Sequence, residues 1–380
     1  MDFDLTKEQT MIRDEVRNFA RKEIAPRAEE MERTGEYPYD IMEKMSNLGL
    51  MGIPFPEKYG GMGSDWVSMH LCIEEISRCD LPLGVLLDVT TSVVAQELFV
   101  FGTEEQKKKW LVPLAKGEKI GAFGLTEPDS GSDAGALSTT ASLQGDEWVL
   151  NGTKQFMTNI GLKNASLILV AARIKDEGYN NTIATFIVPP DAPGFKLGGK
   201  YDKMAWLASP THEVILSDCR IPKQNLLGDP KSGFAQHLSV LETGRISVAA
   251  IAVGAAQACF DEALKYAKGR AQFGQPIFNF QSIQFKLADM TVAIELARNQ
   301  YIKAAWLKDK GRSHTFEATV AKLYASEMAE KVASDALQIH GGYGYMNEYL
   351  VSRYYKSVKL LQIVEGTSEV QRLILGRLLS

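Results

Sequence analysis

The segment Leu360-Leu361-Gln362-Ile363-Val364-Glu365-Gly366-Thr367-Ser368-Glu369-Val370-Gln371 sets one carboxylate, Glu365, behind four apolar residues in five. A carboxylate in apolar surroundings has its pKa raised by desolvation and can then serve as a base near neutral pH. Ser368 with Gln371 three residues later is a capping-box pattern, so a helix is expected to start there. A solvated glutamate in a turn is the blander alternative, and for the segment alone it is the default.

Two further segments carry chemistry. Phe123-Gly124-Leu125-Thr126-Glu127-Pro128-Asp129-Ser130-Gly131-Ser132-Asp133 places small, turn-forming and hydroxyl residues behind a short apolar run. Such a loop presents several backbone N–H groups and hydroxyls to a polar ligand, or it is an ordinary Ser/Gly loop. In Arg270-Ala271-Gln272-Phe273-Gly274, followed by Gln281, the arginine ends a long helix and Gly274 breaks it. That arginine either complements the helix dipole or is donated to a phosphate.

Other chemistries lack their residues. There is no G-x-x-x-x-G-K-[ST] run and no G-x-S-x-G elbow. Gly342-Tyr343-Gly344 fails the dinucleotide fingerprint at Asn347 and follows a helix rather than a strand. Cys72, Cys79, Cys219 and Cys259 form no C-x-x-C pair, and the five histidines are scattered, so no metal site is expected. The cysteines read as small buried hydrophobes in a reducing compartment.

The elements that must position these residues change character twice. Residues 1–118 read as helical: Ile12, Val16 and Phe19 form an amphipathic stripe, bounded by Pro26, and Met69 to Ile76 resumes helical spacing. Residues 119–225 read as a β unit. Trp148-Val149-Leu150 leads into Asn151-Gly152, a hairpin turn signal, and further strands are expected at 167–172, 182–188 and 213–216. Residues 226–380 return to helices, over 245–270, around Ile283 to Ile294, and over 318–339, the last stopped by Gly341-Gly342.

Composition is that of a globular protein, neither disordered nor fibrous. The 380 residues are 45% hydrophobic and 23% charged, and length suggests about two to three domains. A net charge of −5 argues against a nucleic-acid binder. Met1-Asp2-Phe3-Asp4-Leu5 does not resemble a signal peptide. The longest weakly polar run, 246–260, is shorter than the roughly 20 apolar residues of a membrane span. The expectation is a soluble cytoplasmic protein.

Taken together, Thr126-Glu127-Pro128-x-x-Gly131-Ser132-Asp133, Arg270-x-x-Phe273-Gly274, Gln338-Ile339-x-Gly341-Gly342 and Glu365-Gly366-Thr367 closely resemble the flavin-dependent acyl-CoA dehydrogenases, over essentially the whole chain. The resemblance implies an α+β multidomain fold: an N-terminal helical domain, a middle β-barrel-like domain and a C-terminal four-helix bundle. It implies FAD and a homotetramer. Phe123, Leu125, Thr126, Gly131 and Ser132 would line the flavin, as would Phe156, Met157 and Thr158. Arg270, Phe273, Gln281, Gln338, Ile339, Gly341 and Gly342 would contact the FAD of a neighbouring subunit. Thr367 and Glu369 would hold its dinucleotide side.

The resemblance also implies a mechanism. Glu365 would remove the α-proton of an acyl-CoA thioester while the β-hydrogen leaves as hydride to the flavin. Its backbone N–H and a ribityl hydroxyl would stabilise the enolate oxygen. Gly366, Ser132, Glu242 and Arg245 would lie on the substrate side. Some members carry their base just before the arginine of this last motif, where this chain has Gly244. Asp88 falls in the helix that lines the acyl pocket, where it would shorten or shape the cavity, or else cap a helix or face solvent. Members acting on dicarboxylic acyl groups carry an arginine a few residues earlier, where this chain has Gly84. A short-chain, branched or alicyclic acyl-CoA is the expected substrate, and an electron-transferring flavoprotein the expected acceptor. An oxygen-using oxidase, an enoyl-CoA reductase and a non-catalytic interaction module are the competing readings.

Overall fold

The computed structural model describes residues 4–179 and 181–379. The first helix, Lys7–Phe19, starts at Thr6, whose side chain and that of Gln9 cap each other's backbone N–H. It does not end at Pro26. The chain passes through a π-helical stretch, Ala20–Ile24, and a 3-10 turn, Ala25–Arg27, then resumes as Ala28–Thr34. Pro26 sits in the opening of that 3-10 turn, where its missing N–H costs little. Pro26 therefore marks a distortion and not a boundary.

Two N-terminal helices pack against helix Leu241–Gly269. Trp66–Ser77 is capped by Asp65, which accepts from Ser68 N at 2.7 Å. Helix Leu81–Phe101 is capped by Asp80, which accepts from Leu83 N at 2.9 Å, and it widens to a π-helix over Asp88–Ala95. A π-helical stretch shifts side chains around the axis and is frequent at functional sites.

The middle region is one eight-stranded sheet. Its strands are β1 (Ile120–Gly124), β2 (Thr140–Gln144), β3 (Glu147–Thr158), β4 (Ala165–Ile174), β5 (Ile183–Val188), β6 (Phe195–Lys200), β7 (Thr211–Pro222) and β8 (Leu226–Leu227). The order is β6-β7-β3-β2-β4-β5-β8, with β1 pairing in parallel with β4. Asn151-Gly152 is not a turn. It lies inside β3, at a register shift against β7, and the hairpin turn is Gly145-Asp146, with Gly145 at φ +64°. Glycine is needed at 152 for close approach: a Cβ there would stand 2.7 Å from Thr139 Cα.

Helices Leu241–Gly269, Gln281–Asp309 and Thr315–His340 pack side by side, and Ser368–Leu378 lies along the last of them. Gly341, at φ +60°, ends Thr315–His340. The helical regions that flank the sheet share one core: Met69, Ile73 and Ile76 belong to the same apolar cluster as Ile246, Val253 and Ala325. The sheet keeps a separate core around Trp148, Phe186 and Val214. Leu81–Phe101 and Gly233–Gly269 are long and apolar enough to span a bilayer, but their most apolar stretches are 83% and 78% buried inside the protein. They are core helices. All four cysteines are buried and unpaired.

Candidate active site

Glu365 follows the 3-10 turn Lys359–Gln362 and precedes helix Ser368–Leu378. Its backbone is left-handed, φ +53°, and Gly366 follows at φ +93°. A non-glycine residue holds that conformation only where its surroundings enforce it. Here two side chains act as straps. Gln371 Nε2 donates to Glu365 O at 3.2 Å and Gly366 O at 2.9 Å, and Lys322 Nζ donates to Gly366 O at 2.7 Å. The capping residue is Thr367, whose hydroxyl accepts from Val370 N at 3.3 Å. The cap expected at Ser368 is thus displaced by one residue, and Gln371 is freed to hold the loop.

The Glu365 carboxylate lies among polar side chains, with Asp88, Lys322 and Arg245 around it. Its Oε2 is enclosed and lacks a hydrogen-bond donor, as do Asp88 Oδ1 and, among donors, Arg245 Nε. A Cβ on Gly244 would land on Oε2 and lie 2.7 Å from the Glu365 Cδ. Burial raises the Glu365 pKa, while a hydrogen bond with Asp88 and the charges of Lys322 and Arg245 pull against it; the net shift is upward. Burial brings Lys322 down to about 8 against the attraction of Glu365. Arg245 is likewise lowered by burial, with Glu242 and Glu365 opposing. Glu242 itself accepts from Thr315 Oγ1 at 2.7 Å. Asp88 does not face solvent: it is 2% exposed and lies inside the continuous helix Leu81–Phe101. Lys322 escaped the sequence reading because a lysine is by default a surface residue.

The Leu125–Ser132 loop is held from beneath by a buried ion pair. Glu127 accepts from Lys154 Nζ at 2.7 Å, Ser138 N at 2.6 Å, Ser138 Oγ at 2.7 Å and Thr139 N at 3.0 Å. Lys154 also donates to Leu125 O at 3.1 Å, and Gln155 N to Thr126 O at 2.9 Å. Phe123 stacks on His237 with centroids 3.9 Å apart. Leu125 and Thr126 are half-buried, and Gly131 and Ser132 are exposed. Phe156, at φ +60°, is exposed against Tyr201, whereas the Met157 side chain points into the sheet core. Thr158 pairs with Thr211 at the end of β3.

Burial works to raise the Glu127 carboxyl, but the donors outweigh it and hold the group at about 2. Its folded value lies below its ordinary 4.5, so its contribution to stability is present above 4.5 and lost as pH falls through about 2. Glu127→Gln is expected to melt at lower temperature than the wild type at neutral pH. The gap should close as pH falls from 4.5 towards 2, in thermal melts followed across that range.

The remaining expected contacts gather elsewhere. Arg270 follows the end of helix Leu241–Gly269, and its guanidinium lies 5.8 Å from the centre of the Tyr343 ring. Gly274 does not break that helix, which already stops at Gly269. Phe273-Gly274 forms the positive-φ turn of a small hairpin, Ala271–Gln272 with Gln275–Pro276, and Phe273 is 94% exposed. Arg270, Gln281, Gln338, Gly341 and Gly342 are exposed at the same end of the bundle, while Ile339 is buried. Thr367 and Glu369 open helix Ser368–Leu378 beyond the Glu365 loop.

Sequence-family models for the N-terminal, middle and C-terminal domains of acyl-CoA dehydrogenases match residues 6–118, 122–219 and 231–380. The chain belongs to the acyl-CoA dehydrogenase family. It is an FAD-dependent oxidoreductase of that family. It is 52% identical to the probable acyl-CoA dehydrogenase YngJ of Bacillus subtilis, over 99% of both chains. It is 42% identical to butyryl-CoA dehydrogenase from Megasphaera elsdenii, with a TM-score of 0.96 over 100% of both chains. A chain in the solved structure of the electron transferring flavoprotein of Acidaminococcus fermentans is 45% identical, with a TM-score of 0.96 over 100% of this chain and 99% of that one. The expected FAD contacts Gly131, Gly341 and Gly342 leave room for such a group, since a Cβ at any of them would meet nothing within 4 Å.

Proposed function

We propose that the protein dehydrogenates a short-chain, branched or alicyclic acyl-CoA to its trans-2-enoyl thioester, with Glu365 as the base. One observation carries this reading: the Glu365 carboxylate, strapped at a left-handed backbone position, has an enclosed oxygen that takes a hydrogen bond from no described residue other than Asp88. Such an oxygen is placed to accept the α-proton. The Glu365 N–H makes no hydrogen bond among the described residues and is free to stabilise the enolate oxygen. Bound FAD supplies the acceptor for the β-hydrogen and its electron pair. Phe123, Leu125, Thr126, Gly131, Ser132 and the Phe156–Thr158 backbone would hold it. Lys322 keeps the Gly366 carbonyl fixed, so the peptide beside the base does not turn.

A dicarboxylic substrate is disfavoured by packing. Gly84 stands where dicarboxylic-acting members carry an arginine, and the Ser77 hydroxyl fills the space beside it, where a Cβ would be. Exposed Arg270, Phe273 and Tyr345 suit a homotetramer in which they reach a neighbour's cofactor. The match to a chain in an electron transferring flavoprotein structure supports that flavoprotein as acceptor. The burial of its two apolar helices suits a soluble, cytoplasmic enzyme. The test is turnover of butyryl-CoA by the holoenzyme. Turnover that requires electron-transferring flavoprotein and consumes little oxygen is expected; equal turnover with oxygen alone would identify an oxidase.

A further inference from the structure

Asp88 is a second buried carboxylate at the site, and nothing in the reaction above uses it. Its carboxyl is within hydrogen-bonding reach of that of Glu365, and Asp88 Oδ1 and Glu365 Oε2 both lack any other donor. Two carboxylates cannot both remain ionised at that separation away from water. One proton lying between them satisfies both orphaned oxygens at once.

The surroundings decide which residue carries it. Glu365 faces two cations, Lys322 from helix Thr315–His340 and Arg245 from helix Leu241–Gly269. Glu242 stands behind Arg245, and Glu369 and Glu327 behind Lys322. Asp88 meets only the Ser247 hydroxyl and Glu365 among the described residues. The cations hold Glu365 as the anion, and Asp88 is left as the acid.

We propose that Asp88 is the positioning residue for this site: as the neutral acid it donates its proton in a hydrogen bond to the Glu365 carboxylate, and so orients the base. The proposal rests on the reading of Glu365 as base. The donated hydrogen bond favours the Glu365 anion, so it keeps the base ionised at lower pH than burial alone would allow.

The test compares Asp88→Asn and Asp88→Leu with the wild type, following anaerobic flavin reduction by butyryl-CoA against pH. Asparagine keeps a neutral donor and is expected to keep the pH at which the rate rises. Leucine removes the donor, so that rise should move to higher pH, with about a tenfold loss at neutral pH. Should leucine fail to fold, Asp88→Ala takes its place. An infrared difference spectrum supplies a readout free of turnover: the band of a protonated carboxyl is expected in the wild type and not in Asp88→Asn. A rise displaced to lower pH in Asp88→Asn or Asp88→Leu would mean that Asp88 is an anion, and an unmoved rise in Asp88→Leu would mean that it is structural; either overturns the proposal. Glu365→Gln in the same assay separates the two ideas, because flavin reduction surviving that change would overturn the base itself.

Discussion

Glu365→Gln is expected to bind FAD and acyl-CoA and yet fail to bleach the flavin. Glutamine has the same shape, so the straps from Gln371 and Lys322 to the backbone of residues 365 and 366 are untouched. The folded loop and the cofactor surface should survive. What is lost is the lone pair that accepts the α-proton. General-base catalysis contributes typically about 10²–10⁴-fold, and no other side chain around it replaces it. Asp88 carries a carboxyl, but burial, the largest cause of its raised pKa, persists in the variant and keeps it protonated. Rapid-mixing measurements of flavin absorbance give the rate, and a spectral perturbation on adding acyl-CoA reports binding. Reduction within a few-fold of the wild type would remove Glu365 from the mechanism.

The second large effect is expected from Gly244→Ala. A methyl group at 244 occupies the space of Oε2 and lies 2.7 Å from the Glu365 Cδ. The carboxylate must therefore leave its place. Displacing a reacting group by about 1 Å can cost about 10²-fold in rate. Stability should change far less than rate, because the about 1 kcal/mol by which alanine is better than glycine within a helix such as Leu241–Gly269 offsets part of the cost of the collision. The expected signature is a large drop in kcat with only a small change in melting temperature. An unaltered kcat would show that the carboxylate swings away from Gly244 during turnover.

How far the sequence alone leads can be judged residue by residue. The apolar run, glycine and cap pattern around Glu365 single it out only beside the family resemblance, because the segment alone reads by default as a solvated turn. The long helices were legible through their 3.6-residue spacing. The cap was misplaced by one residue because Thr367 and Ser368 are equally good caps, and only tertiary contact sends Gln371 back to the loop. Asn151-Gly152 looked like a turn because local propensity cannot show the Thr139 backbone against which Gly152 packs. Lys154 and Lys322 carried no signal, since a buried lysine is recognised only by the carboxylate or carbonyl it meets. Asp88 was suspected by family pattern, but its contact with Glu365 joins residues distant along the chain. The shared core of Met69 and Val253 is hidden for the same reason.

The measurement that bears most directly on the central claim is an anaerobic titration of the purified yellow holoenzyme with a panel of acyl-CoA esters. The panel runs from butyryl to octanoyl and includes isobutyryl, cyclohexanecarbonyl and glutaryl thioesters. Flavin absorbance should bleach with the short-chain, branched or alicyclic esters and not with glutaryl-CoA. No bleaching by any ester, with FAD bound and Glu365 intact, would contradict the account.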